Sequence, residues 1–151
     1  MSQLVPPHGG KGLTVCLLEG AQLEAEKSKA AGLKKVSISP RVKGDLIMIG
    51  IGGFSPLTGF MTKADWKGVC ENFLMADGTF WPVPVCLDIT AEEAADINQG
   101  DEVALYDPEG DEIMATINVD EKWEISDEEK KWECEKVFMG EGTPTAAEFW
   151  K

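Results

Sequence analysis

The chain has 151 residues, 43% of them apolar, a globular composition at the length of one ordinary domain. Its net charge of −13 is uneven: residues 1–70 carry nine basic and five acidic side chains, residues 71–151 five basic and 22 acidic. A half this acidic repels phosphate backbones and argues against nucleic acid as a partner. No apolar run approaches the roughly 18 residues of a membrane span. Residues 1–12 lack the apolar stretch of a signal peptide, so no membrane association is expected and the cytoplasm is the expected location.

In chain order, the opening to Gly12 reads as irregular. Val15 to Ala31 suggests a helix, strongest from Glu19 onwards and closed by Gly32. Lys34 to Ser39 alternates with period two, a short strand stopped by Pro40. Asp45 to Ile51 stays open between helix and buried strand, because a short apolar run has no readable period. Thr62 begins a helix with Asp65 in the capping-box position and Trp66, Val69, Cys70 and Phe73 on one face. Asp77-Gly78 is a turn signal. Phe80 to Ile89 is β-rich, with Pro82 and Pro84 confining it to an edge or a bulge. Thr90 to Asn98 reads as a short helix, and Glu102–Tyr106 with Glu112–Val119 as a β-hairpin. Ser126 opens the last helix, ending near Gly140, and the tail carries Phe149 and Trp150, an ending that suggests a longer chain. One α+β domain accommodates these elements, its strands forming a curved sheet or small barrel.

The generic chemical motifs fail on particular residues. Cys16, Cys70, Cys86 and Cys134 form no C-x-x-C pair and read as buried free thiols. A P-loop ending at Gly10-Lys11 lacks its first glycine, since Val5 stands there, and has Gly12 in place of Ser or Thr. A dinucleotide fingerprint from Gly50 and Gly52 has Ser55 where the third glycine belongs. His8 sits in a glycine-rich end with no partner residue to orient it for proton transfer. Asp127, Glu128 and Glu129 suit the first turn of a helix, where the dipole favours negative charge.

The informative segment is Gly52-Gly53-Phe54-Ser55-Pro56-Leu57-Thr58-Gly59-Phe60-Met61. Its glycines permit tight turns and close backbone approach, and its two phenylalanines need something to pack against. On chemistry alone it is either a packed loop or a binding surface. G-G-F-S-P-L-x-G-F-M followed by Ala64-Asp65-Trp66 resembles a hallmark of ATP sulfurylases (sulfate adenylyltransferases), and D-G-T-x-W-P-x-P-V, Asp77 to Val85, resembles a second. Leu4 to Leu13 and Lys43 to Met48 are similar to the form found in sulfate-reducing and other sulfur-metabolising prokaryotes.

That resemblance implies a PUA-like, β-rich pseudobarrel with flanking helices, spanning residues 1–151 and packed against a separate nucleotidyltransferase domain. The family joins sulfate to the α-phosphate of Mg-ATP, giving adenosine 5′-phosphosulfate and pyrophosphate. Its Q-x-R-N and H-x-x-H signatures lie in the later domain. With one histidine and one arginine, Arg41, this sequence forms neither. No catalytic, cofactor-binding or metal-binding residue is therefore expected here, and Mg-ATP belongs to the whole enzyme. The implied partners are the catalytic domain of the same enzyme, ATP and sulfate through that domain, and further copies in a homo-oligomer. The candidate docking residues are Gly53, Phe54, Ser55, Pro56, Leu57, Phe60 and Met61, with Trp81, Pro82 and Pro84. The alternative is a free-standing PUA-like binding or regulatory module without catalysis.

Overall fold

The structure, a computed structural model, describes residues 5–138 and residue 148. In chain order it contains helices α1 (Gly20–Ala30), α2 (Pro40–Gly50), α3 (Lys63–Asn72), α4 (Ala91–Ala95) and α5 (Asp127–Val137), with strands β1 (Lys34–Ser37), β2 (Glu102–Asp107) and β3 (Glu112–Asn118). They fall into two compact units, one of residues 1–60 and 86–122, the other of residues 61–85 and 123–151. The expected ending at Gly140 and the apolar pair Phe149 and Trp150 lie outside the described residues.

The first unit is built on a three-stranded sheet in the order β1-β2-β3. β1 runs parallel to β2, with Val36 opposite Leu105, and β2 runs antiparallel to β3, with Leu105 opposite Ala115. The hairpin expected around residues 107–111 is present, with a register shift between Leu105 and Tyr106. Among the described residues the sheet is not closed into a barrel. The expected α+β class with flanking helices holds, and its β part is this open three-stranded sheet. Val36, Ile38, Val42, Ile97, Val103 and Leu105 form the core, each no more than 5% exposed. Burying each such side chain contributes about 1.5–3 kcal/mol. α1 lies along β3, where the Thr116 hydroxyl donates to Glu26 at 2.5 Å and Lys29 bridges Glu26 and Glu102.

Two elements of this unit differ from expectation. The first helix begins at Gly20, not Val15, because Glu19 is extended (φ −133°, ψ 159°) and Gly20 takes a positive φ of 56°. The open segment Asp45–Ile51 is the body of α2 and its C-cap. The helix starts at Pro40, whose fixed φ suits a first helical position, while the Ser39 hydroxyl accepts the Val42 N–H at 3.3 Å.

The second unit pairs α3 with α5. Both have full capping boxes, Thr62 with Asp65 and Ser126 with Glu129, so orphan N–H groups at both starts are satisfied. Trp66, Val69 and Cys70 are buried on α3 as the pattern requires. Phe73 leaves that face, because it is the left-handed C-cap (φ 58°). The turn at Asp77-Gly78 closes through the Met75 carbonyl, with Gly78 at φ 85°. The β-rich run Phe80 to Ile89 is no strand; its only pairing among the described residues is an isolated bridge from Phe80 to Leu74. Pro82 and Pro84 have no N–H to give a ladder, which explains the interruption. Among the described residues no helix is long and apolar enough to cross a membrane.

Candidate functional site

The glycine-rich segment is a defined loop in the first unit, tied to α2 and to the irregular chain before α1. Gly52 has φ 80°, and a Cβ there would sit 3.1 Å from the Thr14 carbonyl oxygen and 3.2 Å from Val15 Cγ2. Only glycine permits that conformation and approach together. The buried Ser55 hydroxyl accepts the Thr14 N–H at 2.8 Å and donates to the Gly52 carbonyl at 2.7 Å. The Cys16 N–H reaches the Gly50 carbonyl at 2.9 Å, and Leu57 N–H closes a turn on the Phe54 carbonyl at 2.8 Å. The Ser55–Pro56 peptide is cis, and Pro56 packs beside Gly9.

The ten candidate docking residues divide between the units. In the first, Ser55 and Leu57 are buried, Phe54, Pro56 and Phe60 half-buried, and Gly53 exposed. Phe60 packs against the sheet core, so its ring already has a structural role. In the second, Met61 and Trp81 are buried, Pro84 half-buried and Pro82 exposed. Met61 N–H donates to the Val85 carbonyl at 2.8 Å, and Trp81 N–H to the Phe73 carbonyl at 2.8 Å. Most of the candidate rings and aliphatic side chains are thus buried or half-buried.

Larger apolar exposure lies outside the candidate docking residues. Leu13, Val15, Leu17 and Leu18 are between 41% and 66% exposed on the irregular strap before α1. Ile47, Met48 and Ile51, on and just after α2, are between 37% and 51% exposed. Strap and helix are neighbours: a Cβ on Gly50 would lie 3.3 Å from Leu17 Cδ2. A readable signal existed, since residues 12–18 and 46–60 contain no charged side chain.

Cationic groups that could receive an anion are largely committed. Arg41 is paired with Asp88, and Lys43 with Asp107, whose side chain is 3% exposed. Lys43 holds the Asp107 carboxyl below its usual range, helped by the N–H groups of Glu109 and Gly110. Lys122 donates to the carbonyls of Ala94 and Ile97 at 3.0 and 2.6 Å. In the second unit an open groove of ≈ 500 Å³ is lined by Lys63, Trp66, Lys67, Glu71, Glu129 and Trp132. Lys63 meets Glu129 there at 3.3 Å. The Ser126 N–H, then Lys63, holds the Glu129 carboxyl below its usual value. Of the four cysteines, Cys70 and Cys134 are buried, Cys86 is half-buried and Cys16 is exposed, which corrects the expectation of four buried thiols. Burial, then the charges of Glu133 and Glu71, pushes the Cys70 thiol up to about 12, where it is inert. Among the described residues no three His, Cys, Asp or Glu side chains converge as a metal site would require.

A family model described as PUA-like domain matches residues 5–149. The sulfate adenylyltransferase of Desulfatibacillum aliphaticivorans is 73% identical over 151 residues, all of this chain and 36% of that protein. That of Desulfovibrio desulfuricans is 62% identical over 151 residues, again all of this chain and 35% of the relative. Among solved structures, a chain described as hexameric APS kinase from Thiobacillus denitrificans superposes with a TM-score of 0.63 at 36% identity, covering 71% of this chain and 21% of that one. The chain therefore spans about a third of the length of the curated relatives it matches.

Proposed function

The chain belongs to the PUA-like domain family, and from that premise we propose that it serves as the PUA-like part of a sulfate adenylyltransferase. The enzyme it serves joins sulfate to the α-phosphate of Mg-ATP in the cytoplasm, releasing pyrophosphate. The observation that carries this reading is 73% identity along the whole chain to an enzyme almost three times as long. Nucleotidyl transfer itself belongs to the remaining length. Charge spread over phosphoryl oxygens in the transition state calls for converging cations. This chain has one histidine and one arginine, and Arg41 is held by Asp88. Its task is to support and orient the catalytic part, which binds Mg-ATP and sulfate; the working enzyme is a homo-oligomer. The loop Gly53 to Met61, with Trp81, Pro82 and Pro84, belongs to the docking surface. The exposed edge of Phe54 is the better probe of it, since Phe60 also supports the core.

Calorimetric titration of the chain with Mg-ATP, then with adenosine 5′-phosphosulfate, tests the reading. We expect no heat from the chain alone. We expect binding and pyrophosphate release once it is joined to the part of the D. aliphaticivorans enzyme it does not match. Micromolar binding by the chain alone, or a joined protein that folds and does not turn over, would overturn it.

A further inference from the structure

Resting on that reading, we propose that the strap of residues 13–18 and the adjoining face of α2 form the seat for the catalytic remainder of the enzyme. The seat is an uncharged apolar seam centred on Val15, Leu17, Ile47 and Ile51.

Four observations converge on it. These side chains are 55%, 59%, 45% and 51% exposed, although each is large and aliphatic. They form one surface, because Val15 and Leu17 lie directly over Gly52 and Gly50 at the end of α2. The surface is also held in shape before any partner arrives. Thr14 N–H is fixed by Ser55, and Cys16 N–H by the Gly50 carbonyl. A seat that needs no ordering loses less entropy on binding than a mobile segment.

Charge is the fourth observation. Residues 12–18 and 46–60 carry no charged side chain in a chain that is 27% charged. At that average these 22 residues would carry about six charges, and depletion of charge is the compositional mark of an interface core. A water-facing surface of this kind is normally covered.

The occupant is the rest of the enzyme and not a second copy of this chain. Relatives devote about two thirds of their length to residues this chain does not match, so in them a covalently linked partner is at hand. A second copy seated on this seam would set two halves of like net charge against each other, with nine basic and five acidic side chains in residues 1–70 of each, and that repulsion opposes self-association there.

Cys16 supplies a built-in reporter, since it lies between Val15 and Leu17 and is exposed. The test compares iodoacetamide labelling of Cys16, read by peptide mass spectrometry, in the chain alone and in the chain joined to the unmatched part of the D. aliphaticivorans enzyme. We expect at least tenfold slower labelling in the joined protein, restored towards the free rate by Leu17→Gln/Ile51→Gln. Amide exchange of residues 13–18 and 47–51 should slow in parallel, while the hairpin tip at residues 108–111 stays as it is. An active joined protein with unchanged Cys16 labelling and unchanged exchange would sink the seat and leave the proposed function standing. A joined protein that folds without activity, its seam still labelled at the free rate, would overturn both. Labelling of the chain alone that slows with its own concentration would assign the seam to a second copy, against the proposal.

Discussion

Ser55 and Thr14, 41 positions apart, are joined by a 2.8 Å hydrogen bond from the Thr14 N–H to the Ser55 hydroxyl, which in turn donates to the Gly52 carbonyl at 2.7 Å. One small side chain thereby holds both the glycine loop and the strap before α1. Ser55→Ala removes both bonds and leaves a partly buried N–H without its acceptor. The expected loss is about 1–3 kcal/mol, by the cost of orphaning a buried polar group. Amide exchange at residues 13–18 should accelerate more than that at β2. Equal acceleration everywhere would mean that Ser55 supports the unit as a whole and does not fasten the strap.

The Lys43–Asp107 pair makes stability depend on pH in a defined direction. Lys43 holds the Asp107 carboxyl below its usual 3.8, so the folded state prefers the ionised form. That contribution is present above pH 3.8 and is lost as pH falls through the depressed value. The same partner holds Lys43 above its usual 10.5, a contribution present below that pH and lost as pH rises through the raised value. Tm should therefore be flat between about pH 5 and 9 and fall outside that window. Glu26 and Glu129 are also depressed, by Lys29 and by the Ser126 N–H respectively, so the acid loss is shared. Asp107→Asn should lower the plateau and shorten the acid limb without abolishing it. Superimposable acid limbs for the two proteins would remove Asp107 from the account.

Three of the helix starts were legible because capping is a local code. Thr62-x-x-Asp65, Thr90-x-x-Glu93 and Ser126-x-x-Glu129 each satisfy helix donors within four residues of sequence. The hairpin was legible for the same reason, as alternation around a polar turn. α2 was not, because its apolar run hid the period; Ser39-Pro40, read as a strand stop, was in fact its start. Val15 to Leu18 was read as helix from the apolar and charged pattern running to Ala31, and the extended Glu19 with the positive φ of Gly20 starts the helix later. The site suffered from the same limits. Motif resemblance picked out the glycine loop, but sequence could not tell that Phe60 packs on the sheet core and Trp81 is buried while Leu17 and Ile51 face solvent. The division into units was also hidden, since residues 61–85 associate with a segment some forty positions later in sequence.

Two helical glycines should respond oppositely to the same substitution. Gly44 in α2 has nothing within 4 Å of an added Cβ, so Gly44→Ala should stabilise by about 0.5–1 kcal/mol through helix propensity alone. Gly68 in α3 would place its Cβ 2.4 Å from the Leu74 carbonyl oxygen, which is backbone and cannot swing aside. Gly68→Ala should therefore be destabilising, with overpacking on the order of 1–3 kcal/mol outweighing the propensity gain. Urea unfolding midpoints of the two variants should move apart, and movement in the same direction would overturn the steric account.

The last prediction concerns what holds α3 to α5. Trp66 and Trp132 meet edge to face, with ring centroids 5.4 Å apart and planes inclined at 66°. Trp66 is 3% exposed, so Trp66→Ala should cost about 3–5 kcal/mol as a large core deletion. Trp132 is half-buried at the rim of the groove and should cost less when cut to alanine. The informative quantity is the coupling in a double-mutant cycle, expected at about 0.5–1.5 kcal/mol for an aromatic pair in this geometry. Lys63→Met, which breaks the neighbouring 3.3 Å pair with Glu129, should change stability far less, because that pair is only half-buried and screened by water. A ring coupling near zero together with a large Lys63 effect would reverse the assignment and make the ion pair the main tie between the two helices.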